Sequence, residues 1–170
     1  MERIKEVLAE RAKEIAGRKD SQNVQEGKSI SIIEFLLAPE IYAFEEKFVS
    51  EVLFLKEITS IPGTPPFVMG VINLRGRIVS VINLKNLFSL KNRGLTELNK
   101  VMILKNEEME FGIIADSILG NRTIYLNKLS QPPLNLNGIA ADYVSGVTPE
   151  GLILLNANKL LLSRQILLNK

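Results

Sequence analysis

The side chain with the most to offer another molecule is Arg75. It stands in the run Pro62-Gly63-Thr64-Pro65-Pro66-Phe67-Val68-Met69-Gly70-Val71-Ile72-Asn73-Leu74-Arg75-Gly76-Arg77. There, prolines fix a turn, an apolar strand follows, and a glycine marks a tight corner. Apolar arms on both sides bury the hairpin, so the arginine projects from a rigid base. A guanidinium held in that way suits bidentate recognition of carboxylate or amide groups, with Arg77 flanking the same corner. An ordinary exposed hairpin arginine satisfies the same spacing.

Little other reactive chemistry is available. The 170 residues include no Cys, no His and no Trp. That excludes a disulfide framework, a thiolate nucleophile, a Cys- or His-ligated zinc site and any triad with histidine as its base. Asp20, Asp116 and Asp142 are the three aspartates, so a carboxylate cage for a hard cation would consist mostly of glutamate. No cofactor is implied. Gly27-Lys28-Ser29 resembles the end of a phosphate-binding loop, but Gln22 occupies the place of its first glycine. Gly70 and Gly76 lack the third glycine of a dinucleotide loop. The neighbouring pairs Glu45-Glu46 and Glu107-Glu108 read as solvated turns, because acid–base work needs two carboxyls in unlike environments. No serine sits in a nucleophile turn.

Charge adds no partner. Lys and Arg number 21 against 19 Asp and Glu, a net +2 spread singly along the chain. The basic residues from Arg3 to Lys19 alternate with Glu2, Glu6, Glu10 and Glu14, whereas a nucleic-acid binder gathers its cations on one face. The apolar runs are too short for a membrane span, and charge begins at Glu2. A cytoplasmic location is expected, which leaves the Asn121-Arg122-Thr123 glycosylation match idle.

These residues need elements to position them. At this length one domain is expected, burying roughly 70% of its unfolded surface. Ile4, Val7, Leu8, Ala12 and Ile15 recur at helical spacing, predicting an amphipathic helix over 1–17 that stops at Gly17. It docks either on its own domain or in a partner's groove. A polar linker extends to Lys28. The period then shortens, and strands are expected at 30–37, 42–44, 51–55, 68–74, 77–82, 101–104, 111–115, 123–126, 143–147 and 152–155. Turn signals such as Arg75-Gly76, Asn137-Gly138 and Pro149-Glu150-Gly151 separate them. Short helices fit at 84–90 and 158–164. Many short strands at close spacing give an all-β barrel or sandwich, since βαβ units need long crossover helices. A faint repeat pairs Gly70-Val71, Gly76, Asn83 and Leu87 with Gly146-Val147, Gly151, Asn156 and Leu160. Two copies of a strand–turn–strand–helix unit suggest two similar barrels sharing one core.

The stretch from Tyr42 to Phe88 resembles the CheW family of chemotaxis coupling proteins. Its marks are Val49-Ser50-Glu51-Val52, Ile61-Pro62-Gly63-Thr64-Pro65, Gly70-Val71-Ile72-Asn73-Leu74-Arg75-Gly76 and Ile78-Val79-Ser80-Val81-Ile82-Asn83-Leu84. Phe111-Gly112-Ile113-Ile114-Ala115-Asp116 and Tyr143-Val144-Ser145-Gly146-Val147 follow in family order. The resemblance spans about 29–162. It implies two five-stranded SH3-like barrels around a shared hydrophobic core, preceded by the segment 1–28, with 29–170 as the CheW-like domain. It further implies a non-enzymatic adaptor coupling chemoreceptor signalling tips to the CheW-like regulatory domain of the histidine kinase CheA, located in the cytoplasm at receptor arrays. Arg75, Gly70 and Gly76 carry over as receptor-binding residues, with Val49 and Glu51 near the same groove. Many members have Asp-Leu-Arg where this chain has Asn83-Leu84-Lys85, which could alter a local ion pair or the choice of partner. Two other functions compete with the chemotaxis adaptor. One is a scaffold of a related pathway controlling pili or development; the other is an enzyme using Ser, Lys, Tyr or Glu.

Overall fold

A computed structural model describes residues 27–91, 94–96, 98–132, 139–163 and 166. The expected helix over 1–17 lies outside these residues. The strands are β1 (Ser29–Leu37), β2 (Glu40–Glu45), β3 (Val49–Phe54), β4 (Val68–Leu74), β5 (Arg77–Ile82), β6 (Lys100–Lys105), β7 (Glu110–Ala115), β8 (Ser117–Tyr125), β9 (Val144–Val147) and β10 (Ile153–Leu155). The helices are α1 (Leu84–Leu87), α2 (Ile139–Asp142) and α3 (Ala157–Leu161). Among the described residues no helix is long and apolar enough to cross a membrane.

Two five-stranded sheets result, ordered β8-β1-β2-β10-β9 and β3-β6-β7-β5-β4. Most pairings are antiparallel; β10 with β2 and β5 with β7 are parallel. Each sheet closes on itself through one backbone bridge. Beyond β3, Thr59 exchanges N–H···O bonds of 2.9 and 2.8 Å with Val71 of β4; beyond β8, Ser130 does the same with Val147 of β9 at 2.9 and 3.0 Å. Closure satisfies edge groups that would otherwise invite pairing with another chain. The second barrel is a continuous stretch of chain, β3 to β7. The first is assembled from both ends, β1-β2 with β8-β9-β10.

Side-chain alternation makes three cores from these two barrels. On β6, Val101 and Ile103 point into the second barrel beside Ile72, Val79, Val81 and Ile114. Their neighbours Met102 and Leu104 point the other way, into a cluster with Phe35, Tyr42, Phe44, Phe111, Ile113, Ile153 and Leu160. Ala43 of β2, Leu154 of β10 and Leu152 just before it fill the first barrel with Ile32 and Ile124. The central strands are therefore buried on both faces. Their sequences, Val-Met-Ile-Leu and Phe-Gly-Ile-Ile-Ala, run apolar without alternating for that reason.

The repeat is real in three dimensions. Hairpins β4-β5 and β9-β10 each lead into a short helix capped by asparagine: Asn83 Oδ1 accepts the Lys85 N–H at 2.9 Å, and Asn156 Oδ1 the Lys159 N–H at 3.0 Å. Gly70 and Gly146 hold the same place in the two barrels, one residue before each bridge. A Cβ on Gly146 would lie 2.9 Å from Leu129 Cβ.

Three local expectations are corrected. Strand β8 begins at Ser117 rather than 123: the register shifts between Glu34, opposite Gly120, and Phe35, opposite Ile118, so the strand bulges at Leu119 beside Gly120, which has φ 134°, and continues. Helix α1 ends at Leu87 rather than 90, because Ser89 turns left-handed at φ 56° and the Leu90 N–H reaches back to Lys85 O at 2.7 Å. Tyr143, expected to open a strand, closes the turn of α2 instead, its N–H donating to Ala140 O at 3.1 Å. The Asn137-Gly138 turn and Arg164 lie outside the described residues.

Candidate functional site

Arg75 and Gly76 form the two-residue loop of the β4-β5 hairpin, between the paired residues Leu74 and Arg77. Both loop residues have positive φ, 51° and 85°, the requirement of a type I′ turn. The Gly76 N–H donates to Asn73 Oδ1 at 2.8 Å, so a side chain from the strand end fastens the turn. The corner that holds the guanidinium is thus fixed by its backbone.

The guanidinium is also fixed by a partner. Arg75 Nη2 donates to Glu51 Oε2 of β3 at 2.7 Å. The arginine side chain stays 76% exposed, while Glu51 is 23% exposed. Much of the planar donor fork therefore faces solvent in a set orientation. Arg77 does not join it as a second bare cation: its Nη1 lies 3.3 Å from Glu110 Oε2. Each arginine has its own carboxylate, and charge at the corner is balanced within the protein.

The five residues assigned from the resemblance divide by role. Glu51, Arg75 and Gly76 meet at the corner. Val49, on the same strand as Glu51, is half-buried against the core shared by the barrels. A register shift between Val49 and Glu51 lies in the pairing of β3 with β6. Gly70 is buried at the closure of the second barrel, where an added Cβ would lie 2.2 Å from Thr59 O. It lies in β4 away from the turn and does not join Glu51, Arg75 and Gly76.

Other parts of this surface escaped sequence reasoning. Asn73 is the fastener of the turn. Val52 and Phe54 point outward from β3, and Ile78 stands 68% exposed on β5 beside the turn. The ammonium of Lys100 sits over the Phe54 ring, 2.9 Å from its centroid. Exposed apolar side chains on a barrel that also carries a balanced ion pair have the composition of an interaction surface. The alternation in Glu-Val-Leu-Phe was the available signal, since it leaves Val52 and Phe54 on the side away from Glu51 and Leu53.

The departure at Asn83-Leu84-Lys85 also resolves. Asn83 keeps the helix-capping role that an aspartate would have, and Lys85 pairs with Asp116, not with position 83.

Comparison with known proteins agrees with this architecture. The CheW-like domain family matches residues 31–165. The chain is 31% identical over 146 residues to the chemotaxis protein CheW of Treponema pallidum, covering 82% of this chain and 86% of that one. With CheW of Klebsiella aerogenes it shares 30% over 137 residues, 79% and 82% of the two chains. The crystal structure of the scaffolding protein TtCheW from Thermoanaerobacter tengcongensis superposes with a TM-score of 0.67 at 32% identity, over 76% of this chain and 85% of that one. Two closed barrels sharing a core, an Asn-Leu-Arg-Gly corner on the second, and a match along most of the chain leave one assignment: the protein belongs to the CheW family of chemotaxis scaffolds.

Proposed function

We propose that this chain is a non-enzymatic coupler that holds the cytoplasmic signalling tips of chemoreceptors to the CheW-like regulatory domain of the histidine kinase CheA. It would act in the cytoplasm at receptor arrays. The receptor-binding residues in this reading are Arg75, Gly76 and Glu51 at the corner, with Val49 and Gly70 shaping the strands beneath. Residues 29–170 make up the binding domain and 1–28 a preceding segment, a division supported by the family match over 31–165.

The observation that carries the proposal is the pre-set guanidinium: a two-residue turn, an asparagine fastener and a 2.7 Å carboxylate contact hold an otherwise exposed arginine in one direction. An adaptor gains from such preorganisation, because less conformational freedom is lost when the partner arrives. A partner offering a carboxylate or carboxamide can share or replace Glu51 on the guanidinium edge. Titration of receptor signalling-tip fragments against wild type and Arg75→Ala tests this. The variant should bind weaker by about 1–3 kcal/mol, or about 5–150-fold, with its fold intact. Equal affinity for the two proteins discards Arg75 as a contact.

A further inference from the structure

Asp116 lies at the single residue between β7 of the second barrel and β8 of the first. Its carboxylate is met from both sides. Lys85 of α1 approaches with Nζ 2.8 Å from each oxygen, and Asn99 Nδ2, just ahead of β6, lies 3.4 Å from Oδ1. From the first barrel, the Ala38 N–H in the β1-β2 turn donates to Oδ2 at 2.8 Å. The backbone joins in, with the Asp116 N–H donating to Leu36 O at 2.9 Å. The Lys85 side chain is 10% exposed, so its charge is largely withdrawn from water and depends on this one partner.

We propose that Lys85 and Asp116 form a clasp that sets the orientation of the first barrel relative to the Arg75 hairpin. The apolar cluster between the barrels supplies adhesion, but burial of apolar surface has no direction. Charge-assisted hydrogen bonds do have direction. The clasp also sits where direction matters. α1 follows β5, the second strand of the Arg75 hairpin, and Asn83 and Asn86 on the same short segment hold the proline-rich loop that enters β4. The Asn83 N–H donates to Phe67 O at 2.8 Å and Asn86 Nδ2 to Pro66 O at 3.0 Å. One element thus grips both ends of the hairpin while its lysine is tied to the first barrel. Lys85 and Asp116 are positioning residues, and their role in coupling rests on the function proposed above.

The chain has no cysteine, so spin labels can be placed singly at exposed sites: Ile78→Cys on the second barrel and Leu119→Cys on the first. Electron–electron distance measurement on this labelled protein should give one narrow distribution. Asp116→Asn leaves Lys85 without its counter-charge. The pair Lys85→Met with Asp116→Ala strands no buried charge, and the Ala38 N–H it releases is at an exposed site where water can replace the carboxylate. In the folded pair variant the distribution should broaden or shift. Lys85→Arg should keep it narrow. In a three-component assay with receptor-tip and kinase fragments, the pair variant should bind each fragment alone as wild type does but assemble all three about tenfold less well. An unchanged distance distribution in the folded pair variant overturns the clasp. If that variant does not fold, hydrogen exchange of the wild type decides. Ala38 and Asp116 amides protected like those of Val101 and Met102 support the clasp; exchange as fast as the exposed Leu98 overturns it. Distances and exchange involve this chain alone, so they judge the clasp even if wild type binds no receptor fragment.

Discussion

At the scale of single residues, Arg75 sits in a conformation that its own side chain disfavours. A non-glycine residue at φ 51° gives up roughly 1–2 kcal/mol relative to ordinary backbone, and an exposed ion pair returns about 0.2–1 kcal/mol. The pair with Glu51 therefore does not account for an arginine at this position on grounds of stability; under the proposed function, orientation toward a partner would. Two expectations follow from the arithmetic. Arg75→Asn gives the Asn-Gly sequence that type I′ turns favour most, so its melting temperature should match or exceed wild type while receptor-fragment affinity falls. A fall in both would mean that the ion pair is a stability element rather than an orienting one. Glu51→Ala should shift the melting temperature by less than about 4 °C, yet weaken receptor binding, because the guanidinium then samples many directions. Arg75 was legible in the sequence because a proline turn, an apolar strand and a glycine announce its corner. Glu51 as its partner was not: the two are separated by 24 positions, and only closure of the barrel brings β3 beside β4. Glu150 is the corresponding tip residue in the other barrel, with Arg122 Nη2 3.8 Å away, so the tip and strand charges are exchanged. The Thr148 hydroxyl, its own backbone and then Arg122 hold the Glu150 carboxyl below the ordinary glutamate range. A lowered folded-state pKa contributes stability above the unfolded value and loses it as pH falls through the folded one. In a carbon-detected acid titration Glu150 should protonate later than an ordinary glutamate, and Thr148→Val should bring it back toward the usual range.

Among elements, the β4-β5 hairpin shows how two glycines of one motif do different work. Gly76 has open space around its Cα and is constrained only by φ 85°. Gly70 is constrained by φ 141° and also by the Thr59 carbonyl, whose oxygen would sit 2.2 Å from a new Cβ. Backbone cannot step aside without breaking the Thr59–Val71 bridge that closes the barrel. Gly76→Ala should cost roughly 1–2 kcal/mol of stability, the price of a left-handed L-residue. Gly70→Ala should cost more and open the barrel edge, read as faster exchange of the Thr59 and Val71 amides. Equal losses in chemical denaturation would show that strain alone matters at both sites. β4 and β5 were read to the residue because the turn between them is so well marked. The end of α1 was missed for the opposite reason: Ser89 does in the left-handed region what glycine usually does, and serine gives no such signal. The start of β8 was missed because the strand runs on through a bulge beside Gly120, which interrupts the local apolar pattern.

For the molecule as a whole, the repeat was visible as two short echoes in the sequence, but which strands complete each barrel was not. The first barrel takes β1 and β2 from one end of the domain and β8 to β10 from the other, a pairing that no local pattern specifies. The most extensive of the three apolar clusters lies between the barrels rather than inside either one. Phe35 belongs to that cluster, fully buried and stacked on Phe44 at 5.1 Å and Tyr42 at 6.1 Å. Across the barrel boundary it shares the same cluster with Met102, Leu104 and Phe111. Truncation there removes atoms from both barrels' packing at once, so Phe35→Ala should cost about 3–5 kcal/mol. The more telling measurement is where that loss appears. Single fluorescent labels at Leu119→Cys in the first barrel and Ile78→Cys in the second should report one coincident denaturant transition, and Phe35→Ala should move both midpoints together. A chain built as two independent barrels would behave otherwise: the label at Leu119→Cys would shift while the one at Ile78→Cys stayed in place. Separate midpoints would mean that the apolar cluster is an interface between domains rather than a common core, and a partner seated on one barrel could then leave the other unaffected.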